Sequence, residues 1–61
     1  MTEYLTVQEI QERFGIGEAV AYGLVKSKGF PSIKIGKRIL INKKALEEWE
    51  RNHLGRWVRL P

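Results

Sequence analysis

The chain has 61 residues, 43% hydrophobic and 30% charged, and its 11 Lys and Arg against 7 acidic residues leave a net charge of +4. A chain this short buries only about 60% of its unfolded surface, which excludes a second core. The lack of Cys excludes a disulfide frame and a thiolate metal site, and no apolar run nears the roughly 18 residues that span a bilayer, so no membrane partner is expected. Met1-Thr2-Glu3 lacks the basic start of a secretion signal, and a cytoplasmic location is expected.

Leu5-Thr6-Val7-Gln8-Glu9-Ile10 is a helix-start signal, with Thr6 as N-cap, Glu9 closing a capping box three positions on, and Leu5 set to staple Ile10. A first helix is therefore expected from Val7, with Val7, Ile10 and Phe14 on its inner side and Glu9 paired with Arg13 outside. Gly15-Ile16-Gly17 ends it. A second helix, 18 to about 28, turns Ala21, Leu24 and Val25 inward and leaves Ala19, Tyr22, Gly23 and Lys26 as an outward stripe. Two short helices across a glycine-containing turn make a helix-turn-helix candidate.

Gly29 stops the second helix and Pro31 holds Phe30 extended, so a strand follows. A three-residue loop over Gly36-Lys37-Arg38 puts Ile33, Ile35, Ile39 and Ile41 on one face of a hairpin, with Lys34 and Leu40 on the other. A two-residue type II′ loop at Gly36-Lys37 would split the isoleucines between faces, and the expectation adopted is the three-residue register. Asn42 then caps a third helix from 43 to about 53, with Ala45, Leu46, Trp49 and, at the margin, His53 inside and Glu47 paired with Arg51 outside. The folded domain is expected over 1–53, followed by a tail, 54–61.

Charge is segregated along this order. Residues 1–25 sum to −3, residues 26–44 hold seven basic side chains and no acidic one, and residues 45–61 cancel to zero. Such a distribution lets one surface attract phosphates while the rest stays neutral enough to fold.

Helix, turn, helix, basic hairpin and closing helix is the plan of a small winged helix-turn-helix domain, an α+β fold whose wing is a two-stranded β-hairpin. The residues add a resemblance of their own: the Leu5-Thr6 opening with Glu9, the Phe14-Gly15-Ile16-Gly17 turn, Tyr22 followed by Leu24 and Val25, Gly29-Phe30-Pro31, Ile33-Lys34-Ile35-Gly36-Lys37-Arg38, and Asn42-Lys43-Lys44-Ala45-Leu46-Glu47-Glu48-Trp49. Over 5–49 the chain resembles the excisionase-type helix-turn-helix family, a branch related to the DNA-binding heads of MerR-type regulators. The resemblance implies a small DNA-binding protein of phages, transposons or similar mobile elements, with the second helix in the major groove and the hairpin as a wing. It also implies bent or coated DNA that steers a site-specific recombinase toward excision, while some members regulate transcription. The implied partners are double-stranded DNA, a recombinase and further copies bound cooperatively on DNA, with no cofactor.

On this plan Glu18, Ala19, Tyr22, Gly23 and Lys26 lie nearest the bases, in a groove about 12 Å wide that admits a helix. The face is poor in donors, and Gly23 stands where the family usually has a polar or basic side chain. Glu18 either accepts from a cytosine amine or simply suits the positive end of its helix. Tyr22 either bonds a phosphate or packs under the wing. Lys34, Lys37 and Arg38 match the family's wing residues, and a guanidinium at a hairpin tip can enter a narrow minor groove; the bland reading is that edge strands carry cations to block aggregation. Lys28, Lys43 and Lys44, with backbone amides near Thr6 and Gly17, are candidate phosphate contacts. Leu40, on the outer side of the wing, is either a contact for a neighbouring protomer or an ordinary exposed leucine. In the tail, Trp57 and Leu60 either fold back onto the core or belong to a segment that orders on a recombinase or DNA.

Nothing assembles an enzyme. There is no Asp or Cys, His53 is the lone imidazole, and Ser27 and Ser32 have no partner to activate them. Val20 stands where a dinucleotide fingerprint needs its third glycine. Glu47, Glu48 and Glu50 read as a solvated helix side, and His53 as a complement to the negative end of its helix rather than a metal site. The expectation is a non-catalytic DNA-binding protein of excisionase type. Its rivals are a small transcriptional regulator with the same fold and a protein-interaction module whose basic hairpin meets an acidic partner, with Leu40 and Trp57 as apolar anchors.

Overall fold

Thr6 and Glu9 close the start of the first helix on each other. The Glu9 amide donates to Thr6 Oγ1 at 3.2 Å, and the Thr6 amide donates to Glu9 Oε1 at 3.0 Å, the reciprocal pair the sequence predicts. The computed structural model describes residues 3–58. Its elements are β1 (Tyr4–Leu5), α1 (Val7–Phe14), α2 (Glu18–Lys26), β2 (Ser32–Ile35), β3 (Arg38–Asn42) and α3 (Lys43–Asn52). Gly15, at φ 63° and ψ 41°, takes the left-handed conformation that ends α1, and the Ile16 amide reaches back to the Gln11 carbonyl at 3.1 Å. That six-to-one bond turns the chain while tucking Ile16 against the core.

The core is one cluster of Ile10, Leu24, Val25, Phe30, Ile41 and Leu46, with Leu5, Val7, Phe14, Ile16, Ile39 and Trp49 packed around it. Trp49 is its aromatic hub. Phe30 meets it edge-on at 5.0 Å, Phe14 at 6.5 Å, and His53 stacks on it at 4.2 Å, so α1, the α2–β2 connection and the end of α3 converge on one indole. His53 Nδ1 also lies 2.7 Å from the Trp49 carbonyl, a group that the end of α3 would otherwise leave without a partner. Asn42 caps α3 by accepting from the Ala45 amide at 2.9 Å.

The sheet has three strands in the order β1-β3-β2, all antiparallel, rather than the two of the expected hairpin. Tyr4 and Leu5 pair with Asn42 and Ile41, and the Lys43 amide donates to the Glu3 carbonyl at 3.0 Å, so the chain start covers one edge of β3. The hairpin register is also corrected. Ile35 pairs with Arg38 and Ile33 with Leu40, which makes the loop two residues, Gly36-Lys37, and not three. Gly36 has φ +59°, and among the described residues only glycines have a positive φ, so Lys37 does not, the pattern of a type II′ turn, whose twist matches that of the strands.

Residues directly opposite across an antiparallel pair share a face. Ile39 and Ile41 therefore face the core with Leu5, while Ile33, Ile35 and Leu40 lie on the other face with Tyr4. The physical reason is β1: Leu5 supplies the third apolar side chain of the core face, so the isoleucines of β2 are not needed there. Lys34 moves to the side of Ile39, and Leu40, paired with Ile33 in the central strand, is half-buried rather than projecting.

Four further expectations change. The second helix ends at Lys26, because both the Ser27 amide and its hydroxyl bond the Leu24 carbonyl, at 3.1 and 2.6 Å. Arg13 does not pair with Glu9, whose carboxylate is used in the cap; its Nη2 reaches Glu50 Oε1 at 2.8 Å and ties α1 to α3. That hydrogen bond raises the Arg13 pKa above its ordinary value against a smaller opposing effect of burial. Glu50 thus belongs to no solvated face, and Glu47 and Arg51 form no ion pair among the described residues.

Candidate nucleic-acid interface

The outward stripe of α2 forms as its spacing requires. Ala19, Tyr22 and Lys26 are exposed, Gly23 is half-buried, and Glu18 is exposed in the first turn. Lys26 Nζ sits 5.8 Å from the Tyr22 ring centroid, a cation–π contact that holds the cation over the phenol. Gly17 precedes α2 with no side-chain cap, so the first amides of this helix keep their donors. The start of α1 is the opposite case. Thr6 uses both its amide and its hydroxyl on Glu9.

Val7, Gln8 and Gln11 of α1 face Glu18 and Tyr22 of α2 across a polar cleft of about 440 Å³. Sequence reasoning did not single out Gln8 and Gln11. The available signal was their i, i+3 spacing on α1, which puts two amide side chains beside the stripe of the next helix.

The hairpin leaves the body of the domain at its base. Ser32 Oγ donates to the Val25 carbonyl at 2.7 Å, and the Asn42 amide donates to the Pro31 carbonyl at 3.2 Å, while Phe30 is buried just before. The first residue of β2 is thus joined to the last turn of α2. Beyond that root, Ile33, Lys34 and Ile35 are exposed on both faces, so the hairpin projects as a wing. Its three cations do not share a side. Lys34 is on the face of Ile39, Arg38 on that of Ile35, and Lys37 occupies the turn between them.

Lys28, exposed in the turn after α2, is four positions before the wing root. Lys43 and Lys44 open α3 directly after Asn42, at the root end of the hairpin, separated from the wing tip by the length of β3, about 14 Å at 3.4 Å per residue. Lys43 is further occupied by Glu3, with Nζ and Oε2 3.4 Å apart. The basic block is spread over the last turn of α2, the turn that follows it, the wing and the start of α3, and the Ser32–Val25 and Asn42–Pro31 bonds gather these segments at the wing root.

The sequence profile of the family described as a helix-turn-helix domain matches residues 4–59. The chain belongs to that family. Its members are excisionase-like, MerR-related helix-turn-helix domains, the kind the sequence resembles. No curated protein and no solved structure matches the chain. In this helix-turn-helix domain α1 and α2 are the helix pair, β2 and β3 the wing, and the three helices with a three-stranded antiparallel sheet are those of a winged form. DNA is the partner such a domain takes. Among the described residues no helix is long and apolar enough to cross a membrane.

Trp57 does not fold back onto the core of the helix-turn-helix domain: it is 95% exposed. Leu60 lies outside the described residues.

Proposed function

We propose that this helix-turn-helix domain is a cytoplasmic, non-catalytic architectural DNA-binding protein of excisionase type, which shapes duplex DNA for a site-specific recombinase of a mobile element. The observation that carries the reading is the Ser32–Val25 hydrogen bond, which roots the cationic hairpin on the last turn of the helix bearing Tyr22 and Lys26. One element is suited to the major groove and the other, with Lys37 and Arg38 at its tip, to the adjoining backbone and minor groove. Glu18, Ala19 and Gly23 offer few donors, so deformation of the duplex and phosphate contacts carry more of the affinity than base readout.

The test is a salt titration on duplex DNA followed by a footprint. With four to six basic groups on phosphates, log affinity falls against log salt with a slope of about −4 to −5. A flat response removes the DNA reading and leaves a basic hairpin that meets an acidic protein. Adjacent repeated sites with bending near recombination arms support the recombination role and cooperative assembly. A single palindrome over a promoter supports the transcriptional regulator instead.

A further inference from the structure

The polar cleft between α1 and α2, about 440 Å³, is walled by side chains that the fold leaves unengaged. On α1, Glu9 closes the helix cap and Arg13 reaches Glu50, whereas the amides of Gln8 and Gln11 make no hydrogen bond among the described residues. On α2, the Glu18 carboxylate has no ion-pair partner among the described residues. Tyr22 has Lys26 over its ring, and its hydroxyl is likewise without a hydrogen bond among them. Gln11 is nevertheless well placed. It is half-buried, and its carbonyl accepts the amides of both Gly15 and Ile16, which ties its backbone to the turn that leads into α2.

The chemistry of this set selects its occupant. Each amide offers donors and an acceptor, the carboxylate offers acceptors only, and no Lys or Arg lines the cleft. A phosphate brings negative charge and acceptors alone, so Glu18 repels it. Guanine and thymine turn carbonyl oxygens to the major groove and meet the same repulsion, while cytosine presents an amine and leaves the amide donors without a partner. Adenine presents its N6 amine beside the N7 acceptor, the one edge that uses both the acceptors and the donors of the cleft.

We infer that the cleft is where this domain discriminates bases, and that it takes the major-groove edge of an adenine. Gln8 and Gln11 supply the donor to N7, and Glu18 with the amide oxygens accepts from the N6 amine. Glu18 and Tyr22 are about one turn apart on α2 and belong both to its outward stripe and to the cleft wall, so a stripe set in the groove brings the cleft to the base edges. The donor-poor second helix thus draws its readout from amides on the first. The inference rests on the DNA reading and adds to it which base is read and by which side chains.

The test is binding-site selection by the full chain from a library of randomised duplexes, followed by anisotropy titrations on the selected duplex. The parent is expected to select adenine at one position. Replacing that adenine with 2-aminopurine, which still pairs with thymine but carries its amine in the minor groove, is expected to weaken binding about tenfold, within what one bidentate contact discriminates. Gln8→Ala combined with Gln11→Ala, both outside the core, is expected to keep the circular dichroism and salt slope of the parent and to lose the preference at that position alone. Glu18→Gln is expected to admit guanine or thymine there. A double glutamine variant that selects as the parent does overturns the inference, and so does one with a shallower slope, which would put a phosphate at the amides. Glu18→Gln with an unchanged selection also overturns it and would assign the carboxylate to a basic group of a protein partner. A parent that binds duplex at the expected slope but selects no adenine removes the inference and leaves the DNA reading standing, whereas a folded parent that binds no duplex ends both.

Discussion

The Ser32 hydroxyl donates to the Val25 carbonyl at 2.7 Å, so the wing root and the last turn of α2 form one unit. Val25 is among the last four residues of its helix, where carbonyls have no intrahelical donor, and Ser32 answers that need from seven positions on. Ser32→Ala leaves a part-buried carbonyl unpaired and is expected to cost about 1–2 kcal/mol of stability in urea unfolding. DNA affinity should fall several-fold, because the two contact surfaces lose their fixed spacing, while the salt slope is unchanged. A shallower slope at parental stability would instead mean that the hydroxyl touches the backbone of the DNA.

The two-residue loop makes isoleucines that look alike in the sequence unequal in energy. Ile41 is fully buried and Ile35 is 58% exposed. Ile41→Val is expected to cost about 0.5–1.5 kcal/mol and Ile35→Val no more than about 0.5. Gly36→Ala meets no atom within 4 Å, so its cost is purely that of holding φ +59° with a Cβ, about 1–2 kcal/mol. Equal costs at Ile35 and Ile41 would restore the three-residue register.

What could be read in the sequence was local. Thr6 and Glu9, Asn42 and Ala45, and Ala21 with Leu24 and Val25 all do what their spacing demands, because caps and helical faces are decided within a few residues. The errors were those of distant partners. Nothing near Leu5 tells that it will lie beside Ile41, and without that strand the four isoleucines appeared to be required on one face. Arg13 had Glu9 at helical spacing and Glu50 thirty-seven positions away, and the capping box settled the choice by using Glu9 first. At the site, the stripe of α2 was legible from its period alone. The pairing of Lys43 with Glu3, and the approach of Gln8 and Gln11 to Tyr22, depend on how distant segments pack.

Charge on the wing and chemistry on α2 should affect binding differently. Lys37→Ala and Arg38→Ala each remove a cation from the hairpin tip, so each is expected to weaken binding to all sequences and make the salt slope shallower by about 1. Tyr22→Ala leaves the phosphate count largely as it was but removes the ring beneath Lys26, and is expected to change sequence preference more than slope. Anisotropy titrations on two unrelated duplexes at three salt concentrations separate these outcomes. Equal effects of Arg38→Ala and Tyr22→Ala on slope and preference would contradict the division of labour.

The Arg13–Glu50 bridge is short, but both side chains keep about a third of their surface in water, at 34% and 30%. Solvent screening therefore limits its value, and a double-mutant cycle of Arg13→Ala with Glu50→Ala is expected to give a coupling of about 0.5–1 kcal/mol. The coupling should shrink in 1 M salt, where the Debye length is about 3 Å. A coupling above about 2 kcal/mol would show that the pair organises the packing of α1 on α3 rather than merely bridging it.

Thr6 distinguishes structural from DNA-facing polar groups. Its amide and hydroxyl are both engaged by Glu9, so the start of α1 has little left to offer a phosphate, whereas the start of α2 at Gly17 has no side-chain cap. Thr6→Ala is expected to lower stability by about 1 kcal/mol through loss of the cap, and to leave DNA affinity and salt slope unchanged at temperatures where the domain stays folded. Gly17→Pro should do the reverse in kind: φ of Gly17 is −77°, close to the proline value, so the backbone can accept the ring, but its amide donor disappears. Binding is then expected to weaken while the unfolding midpoint holds. If Thr6→Ala weakens binding and Gly17→Pro does not, the phosphate lies at the first helix, and the capping box must open to receive it.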